Sequence, residues 1–198
     1  SFSFLAMGNK KRQTLFDFER FWERSLVEAV GARLILDQVA NSDPEEAFTC
    51  GLLQNIGQLI YAVTLPAQYD DVLQKARIIN DAGNVTSVHD EERLEQEALG
   101  ISHAELGYEI AKSWGFPENL LFPIKFHHQP LAYRGGNHRC KQNIRAAYLA
   151  GLLSNIFYSD EPERYHKQFR TEAKQLLGLK VLSINTVLKT IDGGIDQS

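Results

Sequence analysis

The sequence predicts an all-α protein, and three observations carry that expectation. Apolar residues recur at helical spacing, as at Phe18, Phe21/Trp22, Leu26, Val30 and Leu34. No run shows the strict apolar/polar alternation of a half-buried strand. Capping residues, prolines and glycines punctuate the chain where helices would start and stop.

The first helix is expected from Leu15 to about Ala40. A second begins at "SDPEEAF", with Asp43 as N-cap, Pro44 at the first helical position and Glu45 and Glu46 in the first turn. It is read as continuous to Leu65-Pro66, and a third helix follows from Pro66 to about Asn80. "NDAGNVTS", residues 80–87, is a loop by its turn residues. "HDEERLEQEALG" reads as a short acidic helix closed by Gly100. Ser102 and Glu105 have capping-box spacing and open a helix ending at Trp114, with Gly115 as its stop. Pro117 starts the helix carrying "FPIKFHHQP", which Pro123 is expected to kink. A loop at residues 132–138 leads to two long helices, about Lys141 to Phe157 and Pro162 to Leu177, and a short one after Ser183.

Composition bounds the function. The chain has 198 residues, 43% hydrophobic and 23% charged, ordinary for a soluble globular protein. A net charge of -4 argues against a general nucleic-acid binder, and the cluster Lys10, Lys11, Arg12 is too short to reverse that. The two cysteines, Cys50 and Cys140, suggest a reducing, cytoplasmic compartment. No secretory signal is expected, because Lys10, Lys11 and Arg12 follow the apolar residues, the reverse of the usual order. Residues Ala47 to Tyr69 carry no charge, but Thr49, Gln54, Asn55, Gln58, Pro66 and Gln68 interrupt them, so a buried core helix is expected and no membrane span.

"GLLQNIG", residues 51–57, places a polar pair between two glycines in that uncharged run. On a continuous helix Asn55 lies about 60° from Leu52, at the edge of the apolar stripe. The glycines would let a helix or ligand approach closely. Among the histidines, His103, His127 and His128 fall beside helix ends. Adjacent histidines on a helix point about 100° apart, so "HHQP" is not a metal site by spacing alone. Trp22, Trp114 and the phenylalanines are expected in the core. The acidic run Glu91, Glu92, Glu95, Glu97 is expected on a solvated helix face. No metalloprotease, zinc-finger, phosphate-loop or nucleophile-elbow motif is present.

Taken in order, "FWERS", "EEAFTCGLLQNIGQL", "YDDVL", "EQEALGISHAELGYEIAKSWGFPENL" and "IKFHHQP" resemble the HDOD module. This is an all-helical bacterial regulatory domain related to the HD superfamily of metal-dependent phosphohydrolases. The resemblance covers about residues 15–160. It implies an HD-like multi-helix bundle, with residues 1–198 as a single domain. The family usually has further helices before "FWERS", and the expectation is that this chain lacks that part.

The resemblance also implies what has changed. The catalytic superfamily has a metal-binding His-Asp pair where this chain has Gln54-Asn55. An earlier histidine ligand aligns near Arg24 and a late aspartate near Gly151. Amides are poor replacements for imidazole and carboxylate at a transition metal, and an arginine would repel a cation but attract an anion. In metal-binding relatives, histidines in the stretches of His103 and His127/His128 can ligate a second metal. The expectation is therefore a non-catalytic signalling module, with no cofactor and no catalytic residue. It would bind a signalling protein, a fused or partner domain, or a small anionic ligand. The candidate pocket is Arg24, Gln54, Asn55, His103, His127 and His128. Two other classes remain: a phosphohydrolase acting on nucleotides or cyclic dinucleotides with the retained histidines, and a scaffold in which the amides only tie helices together.

Overall fold

A computed structural model describes residues 14–81 and 88–195. Among these residues the chain forms ten helices and no strand. Lys10 to Arg12 and most of the loop at 80–87 lie outside them.

Helix α1 (Phe18–Asp37) opens where the Asp17 side chain accepts from the Arg20 backbone N–H. Its buried face differs from the apolar row read in the sequence. Phe21, Ser25, Glu28, Ala29, Ala32, Ile35 and Leu36 face inward, whereas Trp22 and Leu26 are 48% and 54% exposed and Phe18 and Val30 are also exposed. Two rows share this helix. The inward one carries the small residues that permit close packing: a side chain at Gly31 would meet Leu153, Ile191 and Ala150. Trp114 is likewise exposed. Neither tryptophan is a core residue.

Helix α2 (Pro44–Leu53) starts as expected, with Asp43 accepting from the Glu46 N–H. The continuous helix expected as far as Leu65 is broken. Gln54 and Asn55 form a corner, and α3 (Ile56–Thr64) restarts beyond it. Both glycines of the opening motif are close-approach points. A Cβ at Gly51 would overlap the backbone of Glu28 and Ala29 on α1, and one at Gly57 would overlap the backbone of His103.

Helices α4 (Pro66–Asp81), α5 (Val88–Leu99) and α6 (His103–Ser113) follow. Gly100 and Gly115 end α5 and α6 with φ of 84° and 79°, where a side chain would be strained. Ser102 caps α6 by accepting from the Glu105 N–H at 3.3 Å. Helix α7 (Glu118–Phe126) runs through Pro123. Proline has no N–H to offer the Asn119 carbonyl. Asn143 Nδ2 and Cys50 Sγ take that acceptor instead, at 3.3 and 3.4 Å.

Helices α8 (His138–Tyr158), α9 (Pro162–Leu177) and α10 (Val181–Ile195) complete the described chain. The largest core joins α1, α2, α8, α9 and α10 around Ile35, Leu36, Leu149, Leu153, Phe169 and Val187. A second gathers Phe16, Phe21, Tyr61, Tyr69 and Val72. A third, smaller one packs Ala111 against Leu121 and Ile124. Among the described residues no helix is long and apolar enough to cross a membrane.

Candidate functional site

The corner between α2 and α3 places Gln54 in the interior, 1% exposed. Its neighbour Asn55 donates from Nδ2 to Glu28 Oε2 at 2.8 Å. Glu28 is fully buried on the inward face of α1. It carries no hydrophobic signal, but it lies seven residues from both Phe21 and Ile35, two turns along the buried row. That register is the sequence signal by which it could have been found. Arg24, one turn earlier, sits 3.8 Å from Glu28 Oε1 and donates to Asn155 Oδ1 at 2.8 Å. The Gln54 and Ser154 side chains also face Glu28. Burial raises the Glu28 pKa, while Arg24 and the surrounding donors oppose the rise without cancelling it.

This corner draws on α1, the α2–α3 turn and α8. A Cβ at Gly151 would lie 3.8 Å from Gln54 Nε2, so the α8 position compared with the superfamily's aspartate does face the pair. The chemistry around the turn is amide, hydroxyl, guanidinium and one carboxylate. That carboxylate accepts from Asn55 and lies 3.8 Å from Arg24, while Gln54 Oε1 and Ser154 Oγ are buried without a hydrogen-bond partner.

The three histidines form a second group. His103 is the first residue of α6. Its backbone N–H and its Nδ1 both lie 2.7 Å from Glu95 Oε2. A carboxylate only accepts, so Nδ1 carries the proton and Nε2 points away from Glu95. Glu95 is 2% exposed. The solvated face expected for the acidic run therefore does not include it. Burial lowers the His103 pKa, but the charge and hydrogen bond of Glu95 outweigh this and leave it raised.

His127 donates from Nδ1 to the Ile124 carbonyl at 2.8 Å. Its Nε2 is buried and has no hydrogen-bond partner. Burial, with His103 nearby, pushes the His127 pKa down to about 3, so this ring is a neutral imidazole. His128 Nε2 lies 2.9 Å from His103 Nε2. One ring nitrogen from each of the three lies within 4.8 Å of the others. The spacing argument against "HHQP" assumed a helix through both residues. Helix α7 ends at Phe126, with His127 as its C-cap, so both rings can turn toward His103.

The six residues singled out in the sequence thus fall into two polar groups, Arg24, Gln54 and Asn55 around Glu28, and the histidines beside Glu95. Gly57 connects them through its backbone contact with His103. Tyr61 helps fix the second group by donating to the Ile101 carbonyl at 2.6 Å. Outside the histidines, Arg93, Ser102, Glu105 and Lys125 line a cleft of about 470 Å³ whose rim carries both signs of charge.

Comparison with known proteins agrees with this architecture. The family model of the HDOD domain matches residues 1–130. The MmoQ response regulator from Methylococcus capsulatus str. Bath superimposes with a TM-score of 0.68 and 26% identity, over 87% of this chain and 62% of that one. An HDOD domain protein of unknown function from Geobacter sulfurreducens shares the fold at a TM-score of 0.71 and 18% identity, over 93% of this chain and 61% of its own. An uncharacterized protein of Treponema pallidum (strain Nichols) is 29% identical over 83 residues, which are 42% of this chain and 15% of that protein. The chain thus spans about three-fifths of the two solved structures and a small part of the curated relative.

Proposed function

The chain belongs to the HDOD domain family, and from that premise we propose that it is a non-catalytic regulatory module of signal transduction that works by docking a partner protein or domain. One observation carries this reading. At the superfamily's metal position, Gln54-Asn55, both side chains face the buried Glu28 carboxylate, and Asn55 donates to it. Amide nitrogens and an arginine give a transition metal little to bind. The similar MmoQ response regulator supports the signalling context.

A protein partner is favoured over a small anion at Arg24. That guanidinium already has Asn155, Glu28 and the Tyr158 ring around it. A free anion would also have to sit beside the Glu28 carboxylate. The exposed row Phe18, Trp22, Leu26 and Val30 on α1 offers an apolar surface to a partner instead. Residues 1–198 would then act as one domain and carry the signal through α1, whose opposite face holds Glu28.

A phosphohydrolase is the second reading, favoured by the grouping of His103, His127 and His128. Purified chain, assayed against nucleotides, cyclic dinucleotides and simple phosphoesters with Mg²⁺, Mn²⁺, Fe²⁺ or Zn²⁺, separates the two. The regulatory reading expects no hydrolysis above buffer. Hydrolysis that disappears in His103→Ala would overturn it.

A further inference from the structure

We propose that the exposed row on α1 is a homodimer interface, in which a second copy of this chain lays its own α1 antiparallel across the row about a two-fold axis at Leu26. The inference deepens the regulatory reading and rests on it, because it names the partner that the row takes.

The row is continuous. Phe18, Trp22, Leu26 and Val30 stand four residues apart, so they share one side of the helix over about three turns. They are 38%, 48%, 54% and 42% exposed. A contiguous apolar strip of this kind marks an interaction surface, whereas scattered exposed residues do not. Its two aromatic side chains are already held in place. Phe18 meets the buried Phe16 ring edge-on at 4.9 Å, and Trp22 meets the buried Phe21 ring edge-on at 5.2 Å. Anchors fixed in advance lose little freedom on docking.

The row fits a copy of itself. A two-fold contact pairs each residue with the one equally far on the other side of the axis. With the axis at Leu26, Trp22 comes level with the partner's Val30 and Phe18 with the partner's Leu34. The bulky end of each row then stands against the smaller aliphatic end of the other.

Charge selects the antiparallel seating. Glu19 and Arg33 are exposed, seven residues to either side of Leu26, and each points about 20° from it. The antiparallel pair sets Glu19 level with the partner's Arg33, and the symmetry repeats that match. Within the chain Arg33 meets the exposed Glu45 at 2.8 Å, so it would be shared between two carboxylates. A parallel seating would instead set Glu19, Glu23 and Arg33 level with their own copies, and like charges across an interface repel. One helix face makes a small interface, so an affinity of about 10–100 μM is expected.

Sedimentation equilibrium of the untagged chain from about 1 to about 300 μM tests this. A monomer–dimer equilibrium is expected. Leu26→Asp, which sets like charges on the axis, and Trp22→Ala should each weaken it at least ten-fold with helicity retained. Glu19→Arg should weaken it about three-fold, and Glu19→Arg combined with Arg33→Glu should restore it. Leu131→Asp and Leu182→Asp, at exposed apolar positions elsewhere, should leave it unchanged. A chain that stays monomeric throughout the range overturns the interface, as does a dimer indifferent to Leu26→Asp. A monomer whose Trp22 fluorescence resists acrylamide also overturns it, since the row is then covered by the chain itself. A charge-reversed double variant that stays weak overturns the antiparallel seating. A monomer without hydrolysis removes the dimer alone, and hydrolysis lost in His103→Ala removes the regulatory reading whatever the state of association.

Discussion

Glu28 sits in the interior of α1 with one oxygen accepting from Asn55 and the other 3.8 Å from Arg24. A buried carboxylate left without its donor is expensive, which makes Asn55 a structural residue. Asn55→Leu should destabilise the chain by about 1–3 kcal/mol. The loss should shrink when Glu28→Gln is already present, because the charge that needed the donor is gone. Urea unfolding of the two single variants and the double variant measures this coupling, and strictly additive losses would deny the pairing. Glu28 also predicts a pH dependence. Its folded pKa is raised by burial, so its contribution is most favourable below the unfolded carboxylate value and is lost as pH rises through the folded one. Relative to the parent, Glu28→Gln should therefore gain stability from acidic to alkaline pH. A difference between the two that stays flat from pH 5 to pH 8 would contradict the assignment. Neither buried glutamate was legible by residue type. Glu95 sits in a run of acids whose other members suggest solvent, and only its spacing to His103 in three dimensions separates it from them.

Caps and stops were the readable features of the elements, since each depends on one or two neighbouring residues. Asp43, Ser102, Gly100, Gly115 and the start of α9 at Pro162 all stand where local chemistry puts them. Ser102→Ala should cost about 1 kcal/mol by freeing the Glu105 N–H, measurable as a fall in Tm. The break at Gln54-Asn55 was not readable, because neither residue forbids a helix and the apolar run continues on both sides. It is set by tertiary packing, with Gly51 against α1 and Gly57 against His103. Gly57→Ala should thus destabilise the chain by about 1–3 kcal/mol despite alanine's better helix propensity. A stabilised Gly57→Ala would show that α3 and α6 do not meet as described. The inward face of α1 was ambiguous for a related reason. Two rows of residues share helical periodicity, and the more apolar one is not the one that packs. Small residues at 29, 31 and 32 decide the matter by allowing α2 and α8 to come close.

At the scale of the molecule, the α-helical class and the family were legible because both rest on the order of many segments. The grouping of the histidines was legible through that family resemblance and not through spacing, because it depends on where α7 ends and on how α5 and α6 return to it. The described residues give a scaffold with two polar centres of different character. One surrounds the Glu28 carboxylate with amide, hydroxyl and guanidinium groups, and the other gathers three imidazoles beside Glu95. Under the proposed regulatory reading the first centre supports no hydrolysis, and the exposed row on α1 meets a partner. The direct test is single-turnover hydrolysis of a cyclic dinucleotide by chain preloaded with one equivalent of Zn²⁺, Mn²⁺ or Fe²⁺, followed by chromatography. The account predicts intact substrate with every metal. Linear or mononucleotide product, formed at a rate that falls with His103→Gln, would contradict it.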